Sequence, residues 1–265
     1  MSGSLRIGIV GGGGWLGGAI AASLLNAGLV RPHNLSLSYR TQQPNRLSGC
    51  FWTTDNQQLA SRSDVIIVSV RPADWPPLAI DADGKLVISV MAGVRLSQLA
   101  EHHNTKRVVR SLPNAAAEVG KSYTPWIGSE GVNDQDRAAV RAIFEACGAQ
   151  DEVESESDID YLTGLSGSGP AFPALLADAM MRDAVSRGIK PDAARRAVTA
   201  VLVGSGRLFE KSGECPADTV EAFVGYRGTT AAAIEAMRAA GFDAAVRDGL
   251  AAAFQKSVNM GKEHS

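Results

Sequence analysis

Arg6-Ile7-Gly8-Ile9-Val10-Gly11-Gly12-Gly13-Gly14-Trp15-Leu16-Gly17 is the stretch whose reading decides the fold. A short apolar run meets a block of glycines, and an apolar segment then continues to Ala27 and stops at Gly28. That order predicts a buried strand, a tight turn and a helix. From Gly12 the spacing is G-x-G-x-x-G, through Gly14 and Gly17; from Gly11 the third position is Leu16, so the first register is preferred. The spacing has a physical reason. The turn needs residues without a Cβ, the backbone must come close to a pyrophosphate, and the helix that follows offers N–H groups and the positive end of its dipole to that anion. Placed between a strand and a helix, the motif is far more specific than it is alone.

Working outward, Leu35-Ser36-Leu37-Ser38-Tyr39, Val65-Ile66-Ile67-Val68-Ser69-Val70, Leu86-Val87-Ile88-Ser89-Val90 and Arg107-Val108-Val109-Arg110 read as further strands, with helical segments around 57–61 and 96–102. Continuous apolar strands separated by helices predict parallel βαβ units covered on both faces. After about Asp158 the strand signal stops. Helices are expected over 172–187, 191–211 and 229–240, and over 244–257 with Asp243 as cap. An acidic junction runs from Asp151 to Asp160 and is the one candidate linker. The fold class expected is α/β: an N-terminal Rossmann dinucleotide-binding domain, residues 1–158, and a C-terminal all-helical substrate and dimerisation domain, residues 159–265. Alanines at 193, 194, 197 and 200 permit close helix packing, including between subunits.

The whole composition narrows the function classes. The 265 residues carry 26 Lys+Arg and 28 Asp+Glu, a net charge of −2, and 45% are hydrophobic. Neither disorder nor a strongly basic nucleic-acid binder fits these values. Without a membrane-length apolar run or a leader-like N-terminus, the expected location is cytoplasmic. Cys50, Cys147 and Cys215 lie far apart, and His33, His102, His103 and His264 include no metal-ligand spacing, so no metal is expected and the histidines are read as surface residues.

The end of the second strand decides the dinucleotide. An acidic residue there would bond the ribose 2′-hydroxyl of NAD, but the segment is Ser38-Tyr39-Arg40-Thr41. Arg40, helped by Ser38 or Thr41, suits a 2′-phosphate, because a guanidinium binds phosphate oxygens in a bidentate, charge-assisted way. NADPH is the expected cofactor, with NADH as the second reading.

Four more segments sit where ligands of such folds bind. Val70-Arg71-Pro72 leaves a parallel strand at the carboxyl edge of the sheet, and Pro113-Asn114 follows the fifth strand at that edge, where the asparagine amide offers a donor and an acceptor. Ser166-Gly167-Ser168-Gly169-Pro170 reads as a tight turn entering a helix, with Ser168 as N-cap. Gly228-Thr229-Thr230 opens another helix, whose first N–H groups suit a carboxylate.

Together with Ile88-Ser89-Val90-Met91-Ala92-Gly93-Val94 and Gly241-Phe242, these segments occur in an order that resembles the pyrroline-5-carboxylate reductase family. The resemblance implies NAD(P)H-dependent reduction of a cyclic imine, 1-pyrroline-5-carboxylate to L-proline or a related imino acid, by a homodimer or higher homo-oligomer without nucleic-acid or membrane partners. It implies a cofactor set of Gly12, Gly13, Gly14, Trp15, Leu16, Gly17, Arg40, Val70, Arg71, Pro72, Ala92 and Asn114. On the substrate side it implies Ser168, Gly228 and Thr229, with the Thr230 hydroxyl at the ring nitrogen as the catalytic contact; Arg227, beside them, is expected from its own charge to grip a carboxylate or a second acidic group. The chemistry requires orientation of donor and acceptor more than a strong base.

The sequence departs from the family in the substrate loop. The family reads Ser-Pro-Gly-Gly-Thr-Thr, and this chain reads Gly225-Tyr226-Arg227-Gly228-Thr229-Thr230. Ala115-Ala116 also stand where Thr-Pro is usual, and Asp178 where glutamate is usual. Arg227 places a Cβ and a charge where glycine allows any φ, so a different imino acid is a second expectation. A non-catalytic NADP-binding sensor or interaction protein of the same fold is the alternative from another class. A β-hydroxy acid dehydrogenase is disfavoured because no Lys or His is positioned as base.

Overall fold

The structure, a computed structural model, describes residues 5–263. The strands are β1 (Ile7–Val10), β2 (Leu35–Ser38), β3 (Phe51–Thr53), β4 (Val65–Val68), β5 (Leu86–Ser89), β6 (Val108–Ser111), β7 (Ser122–Gly128) and β8 (Gly148–Glu152). They form one sheet in the order β3-β2-β1-β4-β5-β6-β7-β8. All neighbours are parallel except β6 and β7, which are antiparallel. Helices α1 (Trp15–Asn26), α2 (Asn56–Ser61), α3 (Leu96–His102) and α4 (Asp134–Glu145) lie along the chain between these strands.

The alternation of side chains along each strand builds two cores from single apolar runs. Ile7 and Ile9 of β1 with Val65 and Ile67 of β4 pack with Ile20 and Leu24 of α1 and with Ile143 and Phe144 of α4. Val10, Ile66 and Val68 turn the other way, against Leu59 of α2 and Leu99 of α3. Each fully buried aliphatic side chain contributes about 1.5–3 kcal/mol.

The chain divides into two compact units: one takes everything up to Ser168 and the stretch from Ala252 onward, the other is Gly169–Ala251. The first unit therefore extends past residue 158 and includes α5 (Glu156–Leu162) and a π-turn, Thr163–Gly167. The second holds α6 (Ala171–Ser186), α7 (Pro191–Ser212), α8 (Pro216–Gly225), α9 (Thr229–Ala239) and the start of α10 (Phe242–Glu263), with α6 packed on α7 and α8 on α9.

Several expectations need correction. The acidic junction is no linker: Ser155 and Asp158 form a reciprocal cap on α5, and Asp160 is buried. Asp160 accepts from the fully buried Arg110 at 2.5 Å, pairs with Arg95 at 2.9 Å and accepts from Ser257 at 3.0 Å, which ties α10 to the sheet unit. Asp243 lies within the first turn of α10 and is not its cap, because the helix starts at Phe242. His103 is buried and His102 half-buried; only His33 is exposed, and His264 lies outside the described residues.

Candidate functional site

The glycine loop is fixed by contacts that leave no room for side chains. Gly11 has φ +80°, and a Cβ there would stand 2.2 Å from the Ser69 carbonyl oxygen. A Cβ on Gly17 would stand 2.5 Å from the Gly11 carbonyl, so helix and turn meet at backbone distance. The Gly11 N–H donates to Ser38 Oγ at 3.0 Å and the Gly13 N–H to the Ser38 carbonyl at 2.9 Å. Ser38 is therefore tied to the loop by its acceptor atoms, and it lines the cleft beside Arg40. Gly14 is the N-cap of α1, and the first N–H groups of a helix have no partner within it.

Beside the loop is a cleft of about 620 Å³ at the carboxyl ends of β1, β2 and β4. It brings together Gly13, Gly14, Arg40, Val70 and Arg71 of the expected set, and adds Tyr39, Thr41, Gln42 and Asp74. Arg71 holds Asp74 through Nε at 2.7 Å and Nη2 at 3.2 Å, and Arg40 reaches the same carboxylate at 3.4 Å. The Arg71 guanidinium, with Arg40 beyond it, keeps the Asp74 carboxyl below the usual carboxylate range. A pyrophosphate, a ribose and a charged 2′ substituent fit this cradle of backbone, hydroxyls and guanidiniums.

The other expected residues are placed differently. Gly12 lies in the turn itself, and Leu16 and Gly17 follow in α1; Trp15 is 58% exposed and donates to Glu118 at 3.2 Å. Pro72 opens a 3-10 turn, Pro72–Asp74, and Ala92 follows β5; neither lines the cleft. Asn114 is spoken for on both sides: its Oδ1 accepts from the Ala116 N–H at 2.9 Å and its Nδ2 donates to the Ser166 carbonyl at 2.9 Å. It braces the π-turn, whatever else it touches. Ser168 is not a helix cap: its hydroxyl donates to the Thr163 carbonyl at 3.3 Å, and Pro170 is the residue before α6.

Sequence reasoning missed Arg46, whose guanidinium donates to the carbonyls of Gly13 at 3.1 Å and Gly14 at 2.9 Å. It missed the support of the 71–80 wall as well. The buried Trp75 indole donates to His103 Nε2 at 3.0 Å, and His102 Nε2 lies 2.9 Å from the Leu78 carbonyl. Burial pushes the His103 imidazolium down to about 4, with His102 adding to the effect. A His-His pair on a polar-looking segment gives no periodic signal of burial, so only the location of Trp75 reveals it.

Residues 6–93 match a family model described as NADP oxidoreductase, coenzyme F420-dependent, and residues 156–260 match one described as pyrroline-5-carboxylate reductase dimerisation. A pyrroline-5-carboxylate reductase of Synechocystis sp. is 30% identical over 268 residues, covering 98% of this chain and 100% of its own. The chain belongs to the pyrroline-5-carboxylate reductase family. A Thermus thermophilus relative of the same name is 31% identical over 257 residues, covering 94% of this chain and 96% of its own. The crystal structure of Plasmodium falciparum pyrroline carboxylate reductase with NADP bound superposes with a TM-score of 0.83 at 26% identity, covering 97% and 98% of the two chains.

The family's dimerisation segment makes the chain a homo-oligomer, and the helical unit has the surface of one. Of the described residues between Gly169 and Ala251, only Ala194, Val198 and Ala231 are buried, while Leu175, Val203 and Leu208 are each more than half exposed. A helical unit with so small an internal core depends on further burial. In the same unit Gly228 caps α9, and Thr229 and Thr230 are its first two residues, all exposed. Arg227, just before them, has φ +50°, in the left-handed region that favours glycine. No helix of the described residues is long and apolar enough to cross a membrane.

Proposed function

We propose that the chain reduces a cyclic imine with NADPH, converting 1-pyrroline-5-carboxylate or a closely related imino acid to the saturated ring acid, L-proline in the first case. The observation that carries this is the cleft over the glycine loop with Arg40 at its rim, in a chain whose family is pyrroline-5-carboxylate reductase. The loop from Gly12 to Gly17 holds the pyrophosphate on backbone and helix terminus, and Arg40 takes the 2′-phosphate. Val70, Arg71, Pro72 and Ala92 border the nucleotide at the strand ends. Asn114 keeps the loop after β6 and the Thr163–Gly167 turn in register. The bound dinucleotide supplies the hydride.

On the substrate side, the N–H groups that open α9 at Gly228 and Thr229 receive the carboxylate, and the Thr230 hydroxyl contacts the ring nitrogen. Ser168 and Arg227 are further substrate contacts in this reading. No strong base is needed, because hydride adds to the carbon of an imine whose nitrogen is already protonated or takes its proton through water, leaving an amine, and the protein's part is orientation. The homo-oligomer is a dimer or a ring of dimers assembled through the helical unit.

The left-handed Arg227 favours a second reading of the substrate, since backbone strain at a cation beside the first residues of α9 serves a ligand better than it serves the fold. Steady-state assays with pyrroline-5-carboxylate, pyrroline-2-carboxylate and piperideine carboxylates separate the readings. Efficient turnover of the first, unchanged in Arg227→Gly, removes the altered substrate. NADPH binding without oxidation across the panel replaces the enzyme by a sensor.

A further inference from the structure

The rim of the cleft holds more charge than a 2′-phosphate site requires. Arg40 and Arg71 are 75% and 74% exposed, and both converge on the one carboxylate of Asp74. Arg71 is held at two points, at 2.7 and 3.2 Å, whereas Arg40 makes a single long contact at 3.4 Å. The clamp is built into the backbone. In a 3-10 turn, side chains at i and i+3 eclipse one another, and the turn Pro72–Asp74 follows Arg71 so that these two residues meet. The next residue, Trp75, is buried and bonded to His103, so Asp74 cannot drift away from the rim.

We infer that Asp74 is a specificity-determining residue of the dinucleotide cleft: its carboxylate occupies one of two guanidiniums that a 2′-phosphate would use, and so restrains the preference for NADPH over NADH. This rests on the proposed dinucleotide site. A 2′-phosphate carries close to two negative charges near neutral pH. It recruits Arg40 readily, because that contact is long and solvated. Arg71 stays on Asp74, and the Asp74 charge opposes the incoming phosphate. A 2′-hydroxyl meets the opposite situation, since the carboxylate accepts its hydrogen bond. The cleft thus combines a phosphate-binding cation from the loop after β2 with a hydroxyl-binding anion from the turn after β4.

Calorimetric titration of NADPH and NADH into wild type, Asp74→Asn and Arg40→Ala tests this, with 2′,5′-ADP and 5′-AMP as fragments that carry or lack the phosphate. Asp74→Asn is expected to bind NADPH and 2′,5′-ADP about tenfold more tightly, equivalent to about 1.4 kcal/mol, while NADH and 5′-AMP bind equally or more weakly. The gain should shrink as salt is raised. Arg40→Ala should lose NADPH and retain NADH. If Asp74→Asn leaves NADPH unchanged or weakens it, while wild type binds NADPH normally, Asp74 merely braces the arginines and the inference is overturned with the dinucleotide site intact. If wild type binds neither dinucleotide, the proposed function fails, and the inference with it.

Discussion

At the start of α1 every glycine would clash with, or closely touch, its surroundings if given a Cβ, whereas at the start of α9 Gly225 and Gly228 would meet nothing within 4 Å. The first loop is explained by the chain itself: Gly11 turns at positive φ against the Ser69 carbonyl, and Gly17 lets α1 touch the turn. In the second loop the residue at positive φ is Arg227, and the glycines border open space. One loop is shaped by the fold packed around it, and the other takes its form from its own backbone, with open space beside it. The same contrast holds for whole units, with the sheet unit closed over two cores and Gly169–Ala251 almost without one.

The largest effect expected is on assembly. Leu208 is 65% exposed within an apolar groove shared with Phe209 and Phe223. If the helical unit is completed by another copy, Leu208→Asp costs the assembly about 4 kcal/mol or more, and sedimentation shifts toward the monomer. An unchanged oligomer would place Leu208 on a free surface and break the comparison.

Next is Gly11→Ala, which combines a strained φ with a backbone overlap and should cost the sheet unit about 3–4 kcal/mol. Urea unfolding measures this, and dinucleotide binding should be lost with it. Gly228→Ala, with open space around it, should cost well under 1 kcal/mol of helix stability, so any large loss of imine turnover in that variant reports ligand contact.

Acid provides a third contrast. The folded state holds His103 at about 4, below the ordinary 6.5 of an unfolded chain. Between these values the unfolded state binds more protons, so stability is full above about pH 6.5 and declines as pH falls toward 4, by up to about 3 kcal/mol. Hydrogen exchange should show that loss in the sheet unit, around Trp75 and His103, and not in Gly169–Ala251; His103→Gln should flatten it. Arg227→Gly acts in the opposite direction, expected to raise stability by about 1 kcal/mol through relief of the left-handed φ. A thermal melt checks it, and a decrease would show that Arg227 is held by contacts that outweigh the strain.

Much of the fold was legible because parallel strands buried on both faces read as continuous apolar runs, as in Ile7–Val10 and Val65–Val68. The strands missed, β3, β7 and β8, lack that signature, β3 being only the three residues Phe51–Thr53 at a sheet edge. β7 carries Pro125, which removes a ladder donor, and β8, with sequence GAQDE, lies at the sheet edge with polar side chains. The glycine loop and Arg40 were legible from spacing and charge. Asp74, Arg46 and the committed amide of Asn114 were not, because their roles depend on three-dimensional meetings, 34 residues apart for Arg40 and Asp74 and 52 for Asn114 and Ser166.

The most direct test of the central claim follows the hydride. Incubated with pyrroline-5-carboxylate and NADPH deuterated at the transferred position of C4, the protein should form L-proline with one deuterium at C5, in step with NADP. Unlabelled proline, or NADPH bound and never oxidised, would contradict the account.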